Sequence, residues 1–577
     1  MKMKFVQITV TLSFLISSCW ATNRTWWKHD LTYGIFLKSF MDSNGDGIGD
    51  FKGLTSKLDY IADTGIKTIW VTPFCTSPQA DGGYDVSDYY GIDPLYGTME
   101  DFEELMREMK KRDLNFVMDL VINHSSDEHK WFEKSVNRVD PYTNYYVWVD
   151  PIGYDRNGNP IPPNNWRSLF DFKTPSSAWT WNEKRKQFYL HQFLVKQPDL
   201  NLNNEELKTE LKNMMKFWLD KGVAAFRLDA VECFMEDPSL RDDIDTESLI
   251  KVVWAEDDTE TPRLHHPDTF KFLHELYLFF RQYDRENKRQ RETAAFGEVY
   301  TTVDNKMKYY GTKSAPAAHY PYNYLLTTLR KFLDAEQMIQ FLNTWIKKLP
   351  EGATSNWALG NHDHGRIFFY FNKEYNSILL TLVTMLPGAA LIWYGEETSQ
   401  EEFDFAPKPS KNLMIERDHF RLPMQWDDSL NAGFTSGDKP WVPVHPNYYN
   451  SNVKEQLANK NSTLYYFKDL VSLRKTDTLK FGDLKMYAIS KWVLAFTRTF
   501  RRSKYIIVFN LGTEPHPANL HAEIANLPTN LTVVAASPNS GYSKGEKFNS
   551  ILDHRNITML RPHSSVVLST HKNRYRK

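Results

Sequence analysis

Short apolar runs alternate with segments whose apolar residues recur at helical spacing along most of this 577-residue chain. The runs at 33–40, 68–71, 116–122, 224–228, 294–296, 357–359 and 389–393 predict strands. Leu54–Thr64, Met99–Arg112 and Leu207–Lys221 predict helices, the last ended by Gly222. Repeated strand–helix units imply a parallel sheet, and a long series of them implies a (β/α)8 TIM barrel of class α/β, with its chemistry at the C-terminal strand ends. Residues 126–197 interrupt the alternation after the third strand and are rich in Pro, Asn, Trp and Tyr, as an inserted domain would be. From about Asp477 the pattern turns to short β runs at 485–489, 492–498, 505–510, 531–536 and 564–568, a separate antiparallel β-sandwich domain. The expected division is a leader at 1–21, a barrel at 22–125 and 198–475, the insert at 126–197 and the β domain at 476–577.

The ends of the chain refine this picture. Lys2 and Lys4 precede a short apolar stretch, Phe5 to Ile16, and Cys19-Trp20-Ala21 ends in a small residue, the pattern of a secretory signal peptide. No later run reaches a membrane-spanning length, and the basic tail from His571 to Lys577 is unlike a lipid-anchor signal. The expected location is extracellular. Lys+Arg 70 against Asp+Glu 72 gives a net charge of -2, which gives no support for a nucleic-acid partner. Aromatics at 14% divide equally between a large core and rings lining a sugar site. Once Cys19 leaves with the leader, Cys75 and Cys233 allow one disulfide or two free thiols. Asn23, Asn461, Asn530 and Asn556 carry the N-glycosylation pattern; Asn123 fits it too but falls among candidate active-site residues.

Acidic residues end several predicted strands. In Phe226-Arg227-Leu228-Asp229 the Arg and Asp share a strand face, so the Arg can hold the Asp ionised as a nucleophile, or form a structural ion pair with it. Phe296-Gly297-Glu298 ends in a carboxyl that an apolar pocket would keep protonated as an acid, or that solvent would simply bathe. Gly360-Asn361-His362-Asp363 and Asp119 to His124 add two His residues beside carboxylates, suited to gripping sugar hydroxyls.

In their order along the chain these segments resemble the four signature regions of the α-amylase superfamily. Gln197-Pro198-Asp199-Leu200-Asn201 is similar to that superfamily's further region in the form found in oligo-α-glucosidases. The segments Asp81-Gly82-Gly83-Tyr84-Asp85-Val86-Ser87-Asp88-Tyr89 and Arg417-Asp418 through Arg421 to Asp427 resemble the same branch, with most likeness to insect-type maltases. The resemblance implies that Asp229 is the nucleophile, Glu298 the acid–base, and Asp363, His362 and His124 the grip on glucose. Arg227 would steady Asp229, Asp85 and Arg421 would clamp the non-reducing end, and Tyr84 would stack on the ring. It also implies that Ala230 favours α-1,4 and sucrose linkages. The activity so implied is a secreted retaining exo-α-glucosidase acting on maltose, sucrose and short oligosaccharides. The alternatives are a glucosyl-transferring sucrose isomerase and a non-catalytic glucosidase-like scaffold. The chain departs from the superfamily pattern at Gly34, Leu37-Lys38, Ala225, Glu232-Cys233 and His364-Gly365, several of them near where an acceptor sugar would bind.

In Asp42-Ser43-Asn44-Gly45-Asp46-Gly47-Ile48-Gly49-Asp50, the residues Asp42, Asn44, Asp46, Ile48 and Asp50 present oxygens at alternating positions, as in a calcium loop, although Gly53 stands where the usual Glu would be. A structural Ca2+ is expected, and no organic cofactor. The oligomeric state is open.

Overall fold

A computed structural model describes residues 24–170, 176–243, 261–403, 405, 417–551 and 558–570. Its centre is a sheet of eight parallel strands: β1 (Leu31–Ile35), β2 (Thr68–Val71), β3 (Asn115–Leu120), β4 (Ala225–Leu228), β5 (Ala294–Gly297), β6 (Tyr320–Pro321), β7 (Asn356–Ala358) and β8 (Ala389–Trp393). Each pairs with its chain neighbours from β1 to β6, and β1 also pairs with β8, which pairs with β7. The seam between β6 and β7 is closed by two asparagines. Asn323 donates its backbone N–H to Asn356 Oδ1 at 2.7 Å, and Asn356 donates its amide to the Pro321 carbonyl at 2.8 Å. The result is a nearly closed (β/α)8 barrel.

Every described strand residue of β1 to β5 is buried, as a parallel sheet covered on both faces requires. The barrel interior is filled with large rings. Trp70 and Trp393 meet at 5.6 Å between centroids, and a Cβ at Gly34 would sit 2.8 Å from each of them. Gly34 therefore accommodates two tryptophans across the barrel, which gives that sequence departure a packing reason.

Several elements differ from the sequence expectation. The first strand spans Leu31–Ile35 and not 33–40, because a 3-10 turn at Leu37–Ser39 takes the chain over the barrel rim. The expected helix 54–64 is two helices, Phe51–Ser56 and Leu58–Thr64, broken at Lys57. Strand β6 went unread: two residues, one of them Pro, give no run to detect. Met99–Lys111 matches its expectation, and a Thr98–Asp101 capping box fixes its start, an interaction that typically contributes about 1 kcal/mol.

Between β3 and β4 lies a three-stranded antiparallel sheet of Trp148–Val149, Gln187–Leu190 and Trp179–Asn182. A bridge pairs His124 with Asp199, so the two ends of this excursion meet at the barrel rim. After the barrel, β9 (Asp483–Ala488), β10 (Val493–Phe500), β11 (Ser503–Asn510), β12 (Asn530–Ala536), β13 (Lys547–Asn549) and β14 (Ser564–Ser569) form an antiparallel sheet in the order β9-β10-β11-β14-β12-β13. A two-stranded sheet, His516–Pro517 with Met559–Leu560, packs near it around a separate core that includes Val493, Leu520, Leu560 and Val566. Cys75 and Cys233 are both buried and free, so the thiol alternative holds. The leader at 1–21 and the tail 571–577 lie outside the described residues, as do Asn23 and Asn556. Asn461 and Asn530 are exposed, whereas Asn123 is 2% exposed and packs on His124.

Candidate active site

Strand β4 carries Arg227 inward, fully buried, and Asp229 follows at its C-terminal end. Their shared strand face appears as a 2.5 Å contact between Arg227 Nη1 and Asp229 Oδ1. The same Nη1 donates to Asp119 Oδ1 of β3 at 2.8 Å, and Nη2 meets Glu298 Oε1 at the end of β5. One guanidinium thus serves three carboxyls on adjacent strands.

That sharing decides the electrostatics. Burial pushes Asp229 up to about 7; Arg227 opposes this, and Asp119 adds to it. Arg227 therefore does not hold Asp229 in the usual carboxylate range, as a private partner would. Burial also pushes Glu298 up to about 8, again against Arg227 and reinforced by Asp229 and Asp363. Two neighbouring carboxyls with raised affinities and a single adjacent cation retain one proton between them near neutral pH. Glu298 is the one that holds it. Its Oε1 accepts from the Tyr300 hydroxyl at 3.0 Å and faces Arg227, whereas Oε2 accepts only the longer 3.4 Å bond from the Ala230 amide and is the oxygen better placed to carry the proton. Asn361 in turn donates to the Tyr300 hydroxyl at 2.7 Å and fixes its direction.

Asp363, at the rim beyond β7, is held in the opposite state. Burial works against its charge, but the His362 ring at 3.1 Å and the Arg417 and Arg421 guanidiniums at 2.5 and 3.1 Å hold it well below the usual carboxylate range. Burial keeps His362 itself down to about 3, so the ring is neutral and the formal positive charge comes from the arginines. His124 is also held neutral by burial, at about 3. Its Nε2 lies 3.1 Å from the Tyr84 carbonyl, which fits an N–H there, while the nearby Gln197 amide donates to Asp81. Tyr84 donates its hydroxyl to Asp119 at 2.9 Å and stacks on His362 at 4.9 Å and 11°.

A cavity opens over these groups. The carboxyls of Asp81, Asp229, Glu232, Glu298 and Asp363 line it with Tyr84, His124, His362, Tyr300 and Arg417. Leu169, Phe170 and Phe193, from the excursion between β3 and β4, form an apolar wall. Ala230 has φ of 46°, a left-handed conformation that costs a non-glycine residue about 1 kcal/mol, and it turns the chain sharply so that Asp229 faces the cavity.

Of the residues expected at the site, Tyr84, His124, Asp229, Glu298, His362 and Asp363 line this cavity, and Arg227 lies directly beneath. Asp85 and Arg421 do not line it. The Asp85 carboxylate accepts from the Ser77 hydroxyl and the Ala80 and Asp81 amides, which makes it the anchor of its own loop. Arg421 donates to the His362 carbonyl and to Asp363 from behind. The ion pair on the cavity wall is instead Asp81 with Arg417, at 2.7 Å, and Arg417 bridges on to Asp363. Asp81 and Arg417 stood in the quoted segments, but nothing in a linear motif says which of two acids four positions apart turns inward. The adjoining glycines decide it. Gly82 and Gly83 adopt positive φ, and a Cβ on Gly83 would come 2.9 Å from the Pro73 carbonyl.

Loop 42–50, where the sequence suggests a calcium site, is shaped by its own side-chain oxygens. Asp42 Oδ1 accepts the Asn44 and Gly45 amides, Asn44 Oδ1 the Asp46 amide and Asp46 Oδ1 the Ile48 amide, while Gly45 and Gly47 take positive φ. These successive turns are made by the donor set itself, and an all-oxygen set suits a hard cation. No three acidic, His or Cys groups converge among the described residues, so the side-chain amide and main-chain oxygens are needed to complete a site. Asp50 caps the helix at 51–56 through the Gly53 amide.

With carboxyls from beyond the ends of β2, β4, β5 and β7 meeting in one rim cavity, comparison with known proteins identifies the scaffold. The profile described as alpha amylase, catalytic domain, matches residues 34–482. The chain belongs to the α-amylase family. It is 36% identical to Maltase A1 of Drosophila melanogaster over 91% of this chain and 94% of that one. It is 35% identical to the human amino acid transporter heavy chain SLC3A1 over 91% of this chain and 76% of that one. Among solved structures it superposes on the trehalulose synthase of Pseudomonas mesoacidophila with a TM-score of 0.79, at 29% identity over 94% of this chain and 99% of that one. The α-amylase family is one of glycoside hydrolases, and the rim cavity of this member holds the paired carboxyls that such chemistry uses.

Proposed function

We propose that the protein is a retaining exo-α-glucosidase that releases glucose from the non-reducing end of maltose, sucrose and short α-1,4-glucosides. The observation that carries this reading is the single Arg227 guanidinium touching both Asp229 and Glu298. The two carboxyls are also in hydrogen-bonding contact with each other, and carboxyls that close belong to the short-separation class, in which one attacks the anomeric carbon directly, and not to the wider class that fits a water between them.

In the first step Asp229 attacks the anomeric carbon while Glu298 passes its Oε2 proton to the departing glycosidic oxygen. In the second, Glu298 takes a proton from water, the hydroxide attacks the same carbon, and Asp229 leaves. Asp363, kept ionised, holds glucose hydroxyls as the ring flattens, and Tyr84 packs against the sugar. The Asp81–Arg417 pair closes the cavity wall beyond Asp363, which suits the end of a chain better than its middle. Proton NMR of fresh maltose digests tests the reading. The first-formed glucose from the non-reducing ring is expected in the α configuration, and initial β-glucose from that ring would overturn it. Isomers formed in place of glucose at high sucrose would favour transfer, the chemistry named for the trehalulose synthase. Absence of turnover on any glucoside would favour a scaffold role akin to the transporter heavy chain.

The remaining expectations join this proposal. The leader-like start supports secretion, with glycans at the exposed Asn461 and Asn530, and among the described residues no helix is long and apolar enough to cross a membrane. Loop 42–50 is proposed to hold a structural Ca2+ through Asp42, Asn44, Asp46, Ile48 and Asp50. The same loop packs on 434–441 through Thr435 and Trp441, so losing the ion would loosen both. Chelation with EGTA is expected to lower the melting temperature by several degrees, with calcium restoring it. An unchanged melting curve would argue that the loop's own hydrogen bonds suffice.

A further inference from the structure

His364 is one of the residues at which the chain departs from the superfamily pattern, and the mechanism above makes no use of it. Its ring stacks on Tyr300 at 4.9 Å and 19°. Tyr324, just beyond β6, stacks on Tyr300 at 5.2 Å and 18°, and on His364 at 5.9 Å and 2°. Three nearly parallel rings therefore pack together. Burial keeps His364 neutral, at about 4, so it contributes a ring and not a charge. Tyr300 cannot swing without breaking both of its ring contacts, and its hydroxyl is held in one place.

Asn361 sets the direction of the hydroxyl proton. Its Oδ1 accepts the backbone N–H groups of Asp363 and His364, both at 2.8 Å, which identifies the other amide atom as the nitrogen. That nitrogen donates to the Tyr300 hydroxyl at 2.7 Å. An amide nitrogen only donates, so the hydroxyl accepts there and spends its one proton elsewhere. Glu298 Oε1 receives it at 3.0 Å. Burial, with Glu298 adding to it, holds the Tyr300 hydroxyl well above the usual tyrosine range, so it remains a donor. The donors run one way, from Asn361 through Tyr300 to Oε1. An oxygen committed to accepting is the one that does not carry the carboxyl proton. Arg227 also reaches Oε1, but that guanidinium is divided among three carboxyls.

We propose that Tyr300 is a positioning residue for the acid–base step, its hydroxyl reserving Oε1 of Glu298 as an acceptor so that the proton is presented on Oε2. This rests on the α-glucosidase reading.

The test compares kcat/KM for phenyl α-glucoside, whose leaving group needs a proton but has no sugar hydroxyls, with that for α-glucosyl fluoride, which leaves without a proton. In Tyr300→Phe, which keeps the ring stack, the ratio of the two is expected to fall about tenfold, the size of one lost hydrogen bond. The infrared C=O band of protonated Glu298, assigned by its loss in Glu298→Gln, is expected to move to higher frequency in the same variant, because the carbonyl oxygen loses a donor. A ratio within twofold of the native value, an equal fall on both substrates, or a band that stays in place would each overturn the proposal. Thermal melting checks that the variant is folded. Should it not be, Asn361→Asp replaces it. Its Oδ1 still serves the two backbone amides, while its second oxygen accepts the Tyr300 proton and withdraws it from Glu298, so the same fall and the same band shift are expected. If the native chain turns over neither substrate, it is the hydrolase reading that has failed. The band alone then decides how Glu298 holds its proton: an upward shift in Tyr300→Phe supports the proposal, and no shift overturns it.

Discussion

Replacing Asp229 with Asn is expected to abolish glucoside turnover, lowering kcat by about 10^4-fold or more while leaving the fold intact. The size follows from the role, because without the carboxylate no glucosyl intermediate forms and the other groups of a cooperating set have nothing to assist. The fold survives because the amide keeps nearly the same shape and still offers an oxygen to Arg227 Nη1, now 2.5 Å away. One buried negative charge also disappears from a cluster in which three carboxyls share one guanidinium, so the melting temperature is expected to hold or rise. Steady-state kinetics on maltose and a thermal melt check both parts. Activity within tenfold of native would remove Asp229 from the chemistry.

Replacing Glu298 with Gln is expected to have the next largest effect, and it is selective. General acid–base assistance is worth about 10^2- to 10^4-fold, so maltose turnover falls by that much. α-Glucosyl fluoride needs no proton to leave, and its first step is expected to survive far better than that of maltose. The pH profile gives a second signature. Glu298 must be protonated in the first step, and burial raises it to about 8, so native activity is lost as pH rises through that value. Asp229 must be ionised and is raised to about 7, so activity is also lost as pH falls below it. The Gln variant lacks the group responsible for the alkaline limb and is expected to lose that limb while keeping the acidic one. A profile still falling through the same alkaline pH would assign that limb elsewhere, for instance to the buried Glu232 carboxyl, itself raised to about 8.

Much of this site could be read from the sequence, because barrel chemistry sits where strands end and strand ends leave a linear signature. Arg227 and Asp229 lie two positions apart on one strand, so their contact follows from the period of a β-strand alone. What could not be read depends on which way loops turn. Asp81 and Asp85 stand in one short segment, and only the approach of Gly83 to Pro73 turns the first toward the cavity and leaves the second to anchor the loop. Arg417 and Arg421 pose the same problem, resolved by Asp363, which both touch from different sides. The state of Asp229 was also beyond the sequence. Arg227 at i−2 suggested an ionised partner, but its charge is divided with Asp119 and Glu298 from neighbouring strands. Strand β6 escaped because its pairing rests on two residues and on asparagine side chains across the seam.

The most direct test of the central claim uses the Glu298 replacement to trap the product of Asp229. The Glu298→Gln protein, mixed with α-glucosyl fluoride, forms its glucosyl intermediate without an acid but lacks the base that would activate water to release it. The adduct is therefore expected to accumulate, and mass spectrometry of a protease digest is expected to find one glucosyl residue on the peptide that contains Asp229. Modification of another residue, or turnover with no trapped adduct, would contradict the assignment of Asp229 as nucleophile and Glu298 as its acid–base partner.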